Sequence, residues 1–338
     1  MRGHDSLTMS VCISTCQIEA LMKLHPLIVA LNPSVDVEWR VPAVRWGEKN
    51  EIQSERRWPG GKGVNVARWL KHLGLQPRLL LPLGGRAGDE MAAGLQAEQI
   101  SAAIFPIRGQ TRANVIVTGP PQGQLRFNPL GPELSPGEWR HLQVLTDREL
   151  QHASLLVLSG SLPRGLEASA YSQLIRLAHR RRIPCLLDCD GAALAKAVPA
   201  RPSLVKPNHH ELSEWYGRPL KHRHHVETAA MELSAKTEGW VLVSTGPDGG
   251  LLVRASSNSR ISVRPPAVVV QNTVGAGDAL LAATAQRFIA NTSPEDWIRA
   301  GVAAGTGAST CPAGILPSRG LIRKIEKAVR IETCEGLD

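Results

Sequence analysis

The 338-residue chain is poor in aromatic residues, at 4%, with two tyrosines and three phenylalanines. Any nucleotide base would therefore have to be held mainly by aliphatic side chains and backbone. The six cysteines form no CxxC pair, and neither CxxxC pair (Cys12/Cys16, Cys185/Cys189) has a second metal-binding pair nearby. This spacing argues against a zinc site and fits reduced thiols in a cytoplasmic protein. No apolar run is long enough to span a bilayer, so neither a transmembrane helix nor a membrane partner is expected. The segment 1–26 lacks a firm apolar signal core and a clean cleavage site. It reads as an N-terminal extension with Met9 and Met22 as alternative starts, and no function is assigned to it. Nor is there a concentrated block of one charge. The formal charge is +9, but it is scattered, and the densest run, "KHRHH" (221–225), is short. A basic chain can bind nucleic acid or small anions. The scattered footprint argues against nucleic acid and leaves small anions such as phosphates.

Hydrophobic content is 43%, a globular value, and the length suits one large α/β domain. Strand-length apolar runs occur at 27–31, 77–83, 154–160, 183–188, 203–208 and 240–246. Helical patterns lie between them. "GVNVARWLKHLG" (63–74) carries Val64, Val66, Ala67, Leu70 and Leu73 at helical spacing and ends on glycine. "EASAYSQLIRLAHRRR" (167–182) ends on basic residues, as the helix dipole favours. The alternation predicts a mostly parallel sheet with helices on both faces. Two segments depart from it. Residues from about 35 to 59 and from about 110 to 129 alternate polar and apolar, as half-buried strands do. They predict a small second sheet assembled from two insertions. The main domain is expected over 27–330, followed by a C-terminal tail over 331–338.

The chemistry concentrates at two glycine turns. "NTVGAGD" (272–278) follows an apolar run and leads into "ALLAATAQRFIA", a helical pattern. Small residues opening a helix leave backbone N–H groups free to hold an anion, and the helix dipole adds to the attraction. A carboxylate at Asp278 beside such a hole suits a general base that takes a proton from an attacking hydroxyl. The competing reading is a helix cap at Asp278 and a tight turn at Gly275 and Gly277. "PGGKGVNVA" (59–67) also opens a helix and adds Lys62 and Asn65. The chain has no GxxxxGK[ST] loop, so ATP would have to be handled by another route.

These motifs resemble the two signatures of the PfkB family of carbohydrate kinases, in the ribokinase-like superfamily. "GGKGVNVA" is similar to the first and "NTVGAGD" to the second, in order and about 210 residues apart. The similarity runs from about Leu27 to about Leu321. "LNPSVD", "TRANV", "LSGSLPRG", "LVKPNHHEL" and "VSTGPDGG" resemble most the sugar-phosphate branch, which holds 1-phosphofructokinase, tagatose-6-phosphate kinase and the minor 6-phosphofructokinase. The resemblance implies a ribokinase-like three-layer sandwich with a small β-sheet lid. It implies an ATP-dependent kinase that converts a ketohexose phosphate to a bisphosphate with Mg2+.

Residue by residue, the resemblance makes Asp278 the base, with Gly275, Ala276 and Gly277 as anion hole. Asp36, Gly60, Gly61 and Asn65 fall where the family contacts the sugar. Arg112 and Asn114 match the branch's "TRxN" segment, and an arginine fork suits phosphate oxygens. Lys49 sits where the minor phosphofructokinase has a phosphate-binding lysine, and Lys62 is a further candidate. Ser159 and Ser161 are placed near the sugar phosphate or the transferred phosphate. Lys206 and Asn208 are assigned to the nucleotide. Asn208 and Glu211 match the NxxE motif that organises Mg2+, largely through water. The same pair also has the spacing of a capping box. Ser244, Gly246 and Gly249 fall in the loop that runs past the nucleotide, and 301–310 matches the helix lining the adenine pocket. Asp188, which ends a strand, is either near the metal or a plain turn residue. A homodimer joined through the lid is implied by the relatives.

Departures are Asn272 for the commoner Asp, Ala279 for a frequent Ser, Cys311 and Pro312 in the adenine region, and Trp39, Trp46 and Trp58 in the lid segments. His209, His210, His222, His224 and His225 read as exposed loop and helix-end residues. Two other functions stay open: a kinase of an unphosphorylated sugar or nucleoside, and a non-catalytic sugar-phosphate binder.

Overall fold

The computed structural model describes residues 25–119 and 123–332. The expected N-terminal extension lies outside the described residues except for its last two.

Ten strands form the central sheet, in the order β14-β13-β12-β11-β10-β9-β8-β1-β4-β5. The six apolar runs expected from the sequence become β1 (Pro26–Val29), β4 (Arg78–Leu83), β8 (Leu155–Ser159), β9 (Cys185–Asp188), β10 (Leu204–Val205) and β11 (Trp240–Ser244). All six are parallel to their neighbours within this set, and β5 (Ser101–Pro106) adds a parallel edge. Beyond β11 the sheet turns antiparallel through β12 (Gly250–Arg254), β13 (Ser259–Arg264) and β14 (Arg330–Glu332). In β14, Ile331 pairs with Val263. The first two residues of the expected tail are thus a sheet edge.

Strand residues alternate between two cores. Ile28 packs with Leu79 and Val157 on one face; Leu27 and Val29 pack with Leu156 and Leu158 on the other. The first face is covered by α1 (Lys62–His72), α2 (Gly85–Ala97), α8 (Ala276–Ile289), α9 (Pro294–Ser309) and α10 (Arg319–Ala328). The second is covered by α3 (Pro136–Glu149), α4 (Ala170–Arg180), α5 (Gly191–Ala197), α6 (His209–Tyr216) and α7 (Arg223–Thr237). Helices on both faces are what a buried parallel sheet requires. Each fully buried Leu, Ile or Val contributes roughly 1.5–3 kcal/mol of transfer free energy.

A second sheet has the order β3-β2-β6-β7. It is built from β2 (Ser34–Arg40), β3 (Ser54–Gly60), β6 (Arg112–Gly119) and β7 (Gly123–Phe127). Its β2–β6 pairing is parallel and the other two are antiparallel. The alternating pattern of β2 suggested a half-buried strand, yet Ser34 to Glu38 are all buried. Val35 and Val37 face the core. Asp36 and Glu38 face the other way and are covered by partners described below.

Candidate active site

Strand ends on the C-terminal side of the sheet, together with β2, β6 and the starts of α1, α6 and α8, enclose a cavity of about 590 Å³. Ligands of open α/β sheets bind at this end.

The floor is the start of α8. Gly275 is the N-cap residue, at φ 81°, a conformation that favours glycine. Asp278 is therefore inside the first turn, and it makes no cap bond. Its Oδ2 instead accepts from Asn65 Nδ2 at 2.8 Å. The capping alternative for Asp278 is excluded by this geometry. Burial, and then the negative charge of Asp188, push its carboxyl up to about 6. The Asn65 bond and the cations Lys62 and Lys206 oppose that rise. A carboxyl with that pKa can both accept and release a proton near neutrality.

A line of polar contacts sets Asn65. Arg68 donates to Asn65 Oδ1 at 2.9 Å and to Pro59 O at 2.6 Å, and a bidentate pair with Glu98 (2.7 and 2.8 Å) fixes its fork. Arg68 was not picked out from the sequence. Its position one helical turn after Asn65 was the available signal.

The wall toward the second sheet holds Asp36. Its Oδ1 accepts from Ser34 Oγ (2.7 Å) and Asn114 Nδ2 (2.9 Å). Burial raises its pKa against these bonds. The carboxylate lies directly over Gly60, where an added Cβ would come within 2.1 Å of Asp36 Cγ. Arg112 lines the cavity, but its Nη1 and Nη2 donate to Pro129 O and Asn32 O at 2.7 and 2.9 Å. Its fork is thus largely committed to backbone. Arg126 and Asn128, neither of them singled out from the sequence, also line this wall. Lys49 does not line the cavity; it sits in an exposed loop beyond the end of β2.

At the opposite wall, Asp188 is a buried charge at the end of β9. Its Oδ1 meets Lys62 Nζ at 3.2 Å and Lys206 Nζ at 3.4 Å, and its Oδ2 accepts from Ser159 Oγ at 3.5 Å. Burial alone would raise its pKa, but the two lysines outweigh that and hold it below the usual carboxylate range. Lys62 also reaches Glu211 Oε1 at 3.4 Å. Asn208 and Glu211 form a full capping box at the start of α6 and line the cavity at the same time. Ser161 and Ser244 complete the lining. Gly246 instead lines a neighbouring cavity of about 920 Å³ that shares Asn208 and Ser244. Gly249 lines neither of the two; at φ 96° it turns the chain against Val263 O.

Among the described residues, no group of three or more His, Cys, Asp and Glu is placed to hold a metal ion by itself. His222 and His224 stack on one another and His225 packs against both at a tilt; none of the three lines the 590 Å³ cavity.

A family model for the pfkB family of carbohydrate kinases matches residues 33–319. The chain belongs to this family. It is 37% identical over 295 residues to the ATP-dependent 6-phosphofructokinase isozyme 2 of Escherichia coli (strain K12), covering 86% of this chain and 93% of that one. It is 36% identical over 263 residues to a 1-phosphofructokinase of Rhodobacter capsulatus, covering 77% and 83%. The crystal structure of Escherichia coli phosphofructokinase-2 in complex with fructose-6-phosphate superposes with a TM-score of 0.81 at 33% identity, over 90% of this chain and 98% of that chain. An Arabidopsis thaliana ribokinase aligns with a TM-score of 0.72 at 20% identity, which supports the ribokinase-like fold. As a pfkB family member the chain is an ATP-dependent carbohydrate kinase.

Proposed function

We propose that the protein transfers the γ-phosphate of ATP to a hydroxyl of a sugar phosphate, converting a ketohexose phosphate to a bisphosphate. The observation that carries this is Asp278: a buried carboxyl with its pKa near 6, aimed by Asn65, at the mouth of a helix. The acceptor hydroxyl would lie between Asp36 and Asp278. Its oxygen attacks the γ-phosphorus, its proton passes to Asp278, and the bond to the ADP oxygen breaks. The amides of Gly275, Ala276 and Gly277 face the charge that develops on the transferred group.

Lys206 is buried beside this turn, with Nζ 3.6 Å from where a Cβ on Gly277 would sit. That placement suits a phosphate contact. Ser244, Gly246 and Gly249 shape the nucleotide's path, and Ser159, Ser161, Asn114 and Gly61 frame the sugar. Arg112 supports the sugar-phosphate end from its backbone tether, with Arg126 beside it. The carboxylates fit a Mg2+ site: Asp188 and Glu211 face one cavity, and magnesium keeps several waters. With Asn208 and Glu211 holding it mostly through water, the ion would offset charge on the β- and γ-phosphates. A homodimer through the second sheet and a cytoplasmic location complete the proposal. Trp46 and Phe127, 78% and 54% exposed, support the first. For the second, no described helix is long and apolar enough to cross a membrane.

The test is ADP release with Mg-ATP and a panel of fructose 1-phosphate, fructose 6-phosphate, tagatose 6-phosphate, fructose, ribose and adenosine. Selective turnover of one sugar phosphate is expected. Asp278→Asn should lower it by about 10²–10⁴-fold. Turnover confined to an unphosphorylated sugar or nucleoside would overturn the substrate assignment, and a near-normal rate in the variant would remove Asp278 as base.

A further inference from the structure

Lys62 raises a question that the kinase reading does not answer. The resemblance groups it with the sugar-phosphate cations, yet its ammonium points across the cavity to the opposite wall. There it meets Asp188 Oδ1 at 3.2 Å and Glu211 Oε1 at 3.4 Å. The other oxygen of each carboxylate is already engaged: Asp188 Oδ2 with Ser159 Oγ, and Glu211 Oε2 with the backbone N–H of Asn208 at 2.8 Å. Lys62 therefore occupies the two oxygens that a divalent ion bridging these residues would need.

Two lysines share Asp188 Oδ1, and they differ. Lys206 has a side chain only 4% exposed and is buried around its whole length. The Lys62 side chain is 35% exposed, on the cavity side, and its long stem can move. Gly61, at φ 91°, starts α1 so that Lys62 is its first residue, opposite the carboxylates.

We infer that Lys62 is a resident counter-ion of the phosphoryl-transfer site. Its ammonium holds Asp188 and Glu211 while no metal–nucleotide is bound, and yields them to the divalent ion when one arrives. Released, it turns to the phosphate group in transfer and acts on kcat. This inference rests on the kinase reading for its second step but not for its first. An ammonium and a dication compete for the same oxygens whatever the acceptor is.

The test is Mn2+ binding to the nucleotide-free protein, read from the electron paramagnetic resonance signal of free Mn2+. Lys62→Gln should bind Mn2+ at least tenfold more tightly than wild type. Lys62→Arg, which restores the cation, should fall back toward the wild-type affinity. Lys62→Met keeps the packing of the stem and serves where glutamine disturbs the fold, with circular dichroism as the check. Unchanged or weaker Mn2+ binding in a folded neutral variant would overturn the counter-ion role. In the kinase assay, Lys62→Gln should lower kcat at least tenfold with little change in KM for the sugar phosphate. A raised KM at unchanged kcat would overturn the transfer role and return Lys62 to the sugar phosphate. If the wild type turned over no sugar phosphate, the kinase reading would fail, while the Mn2+ comparison would still decide the first step.

Discussion

Asp278 is costly to keep. Its carboxyl is buried against another carboxylate, and its pKa rises from the ordinary carboxylate range to about 6. A raised carboxyl means that the folded state holds the proton more tightly than the unfolded chain does. Its contribution to stability is thus fully present below about pH 4 and is lost as pH rises through about 6. Two outcomes follow. The rate kcat/KM should climb about tenfold per pH unit below pH 6 and level off above it, as the base loses its proton. Asp278→Asn should be more stable than wild type at pH 8, by about 1–3 kcal/mol, and this gain should vanish near pH 4. Denaturant titration of both proteins at the two pH values checks the second outcome; equal stability at pH 8 would contradict the buried, charged carboxylate. Gly60 makes a steric argument on the sugar side. An added Cβ would fall on the Asp36 carboxylate itself, with no flexible end to move aside. Gly60→Ala should raise KM for the sugar at least tenfold, with a smaller change in KM for ATP. Steady-state kinetics in both substrates would show the split.

Among the elements, the second sheet is tied to the main domain by arginines of β3 as well as by the Arg68 and Arg112 contacts at the site. Arg57 makes a bidentate pair with Glu90 of α2, at 2.7 and 2.8 Å. Arg56 pairs with Glu38 and donates to Ala313 O at 2.7 Å, beyond the end of α9, while Trp58 covers Gly314. These contacts hold the sheet over the cavity, which suits a lid that keeps water from ATP. Arg56→Ala should raise ADP release in the absence of sugar several-fold relative to sugar-dependent turnover. The melting temperature should fall by several degrees, because the partly exposed Arg56 is the cation paired with the buried Glu38 carboxylate, and its loss leaves that charge unpaired. An unchanged ratio of hydrolysis to transfer would argue against the latch.

The same elements show what could be read in advance. β1, β4, β8, β9, β10 and β11 were legible because strands buried on both faces are continuous apolar runs. β5 was not, since "SAAIFP" is a short run with small and turn-forming residues and sits half-exposed at an edge. The antiparallel β12–β14 edge was missed because nothing in "SRISVR" or "RIE" says which partner it takes. At the site, the glycine turns announced Asp278 and Asn65, since Gly61 and Gly275 sit at positive φ, where glycine is favoured. Arg68 was legible only through its place one turn after Asn65, whereas the two-lysine clasp on Asp188 could not be read, because it joins side chains from separate elements, distant along the chain. Lys49 falls outside the cavity for the converse reason: a spacing carried over from relatives does not fix where an exposed loop points.

For the whole molecule, the decisive question is where the domain begins. β1 is not an edge. It lies between β8 and β4, with Leu27, Ile28 and Val29 each at most 1% exposed. The described contacts start just before it, where His25 O accepts from Ser154 N at 3.0 Å. A chain starting at Met22 therefore keeps every described contact. It should match the full chain in melting temperature within about two degrees and in activity within about twofold. A chain starting at Ile28 loses half of β1. It forfeits the burial of Leu27, roughly 2–3 kcal/mol, and ladder hydrogen bonds at about 1 kcal/mol each. Against a net stability of about 5–15 kcal/mol that loss is large, and it falls in the middle of the sheet, where neighbours on both sides lose their partner. The shorter chain should unfold at least about 10 °C lower or fail to accumulate as a soluble protein. Scanning calorimetry on the three chains would decide it. A Met22 chain that melts well below the full chain would show that the segment before Met22 belongs to the folded domain.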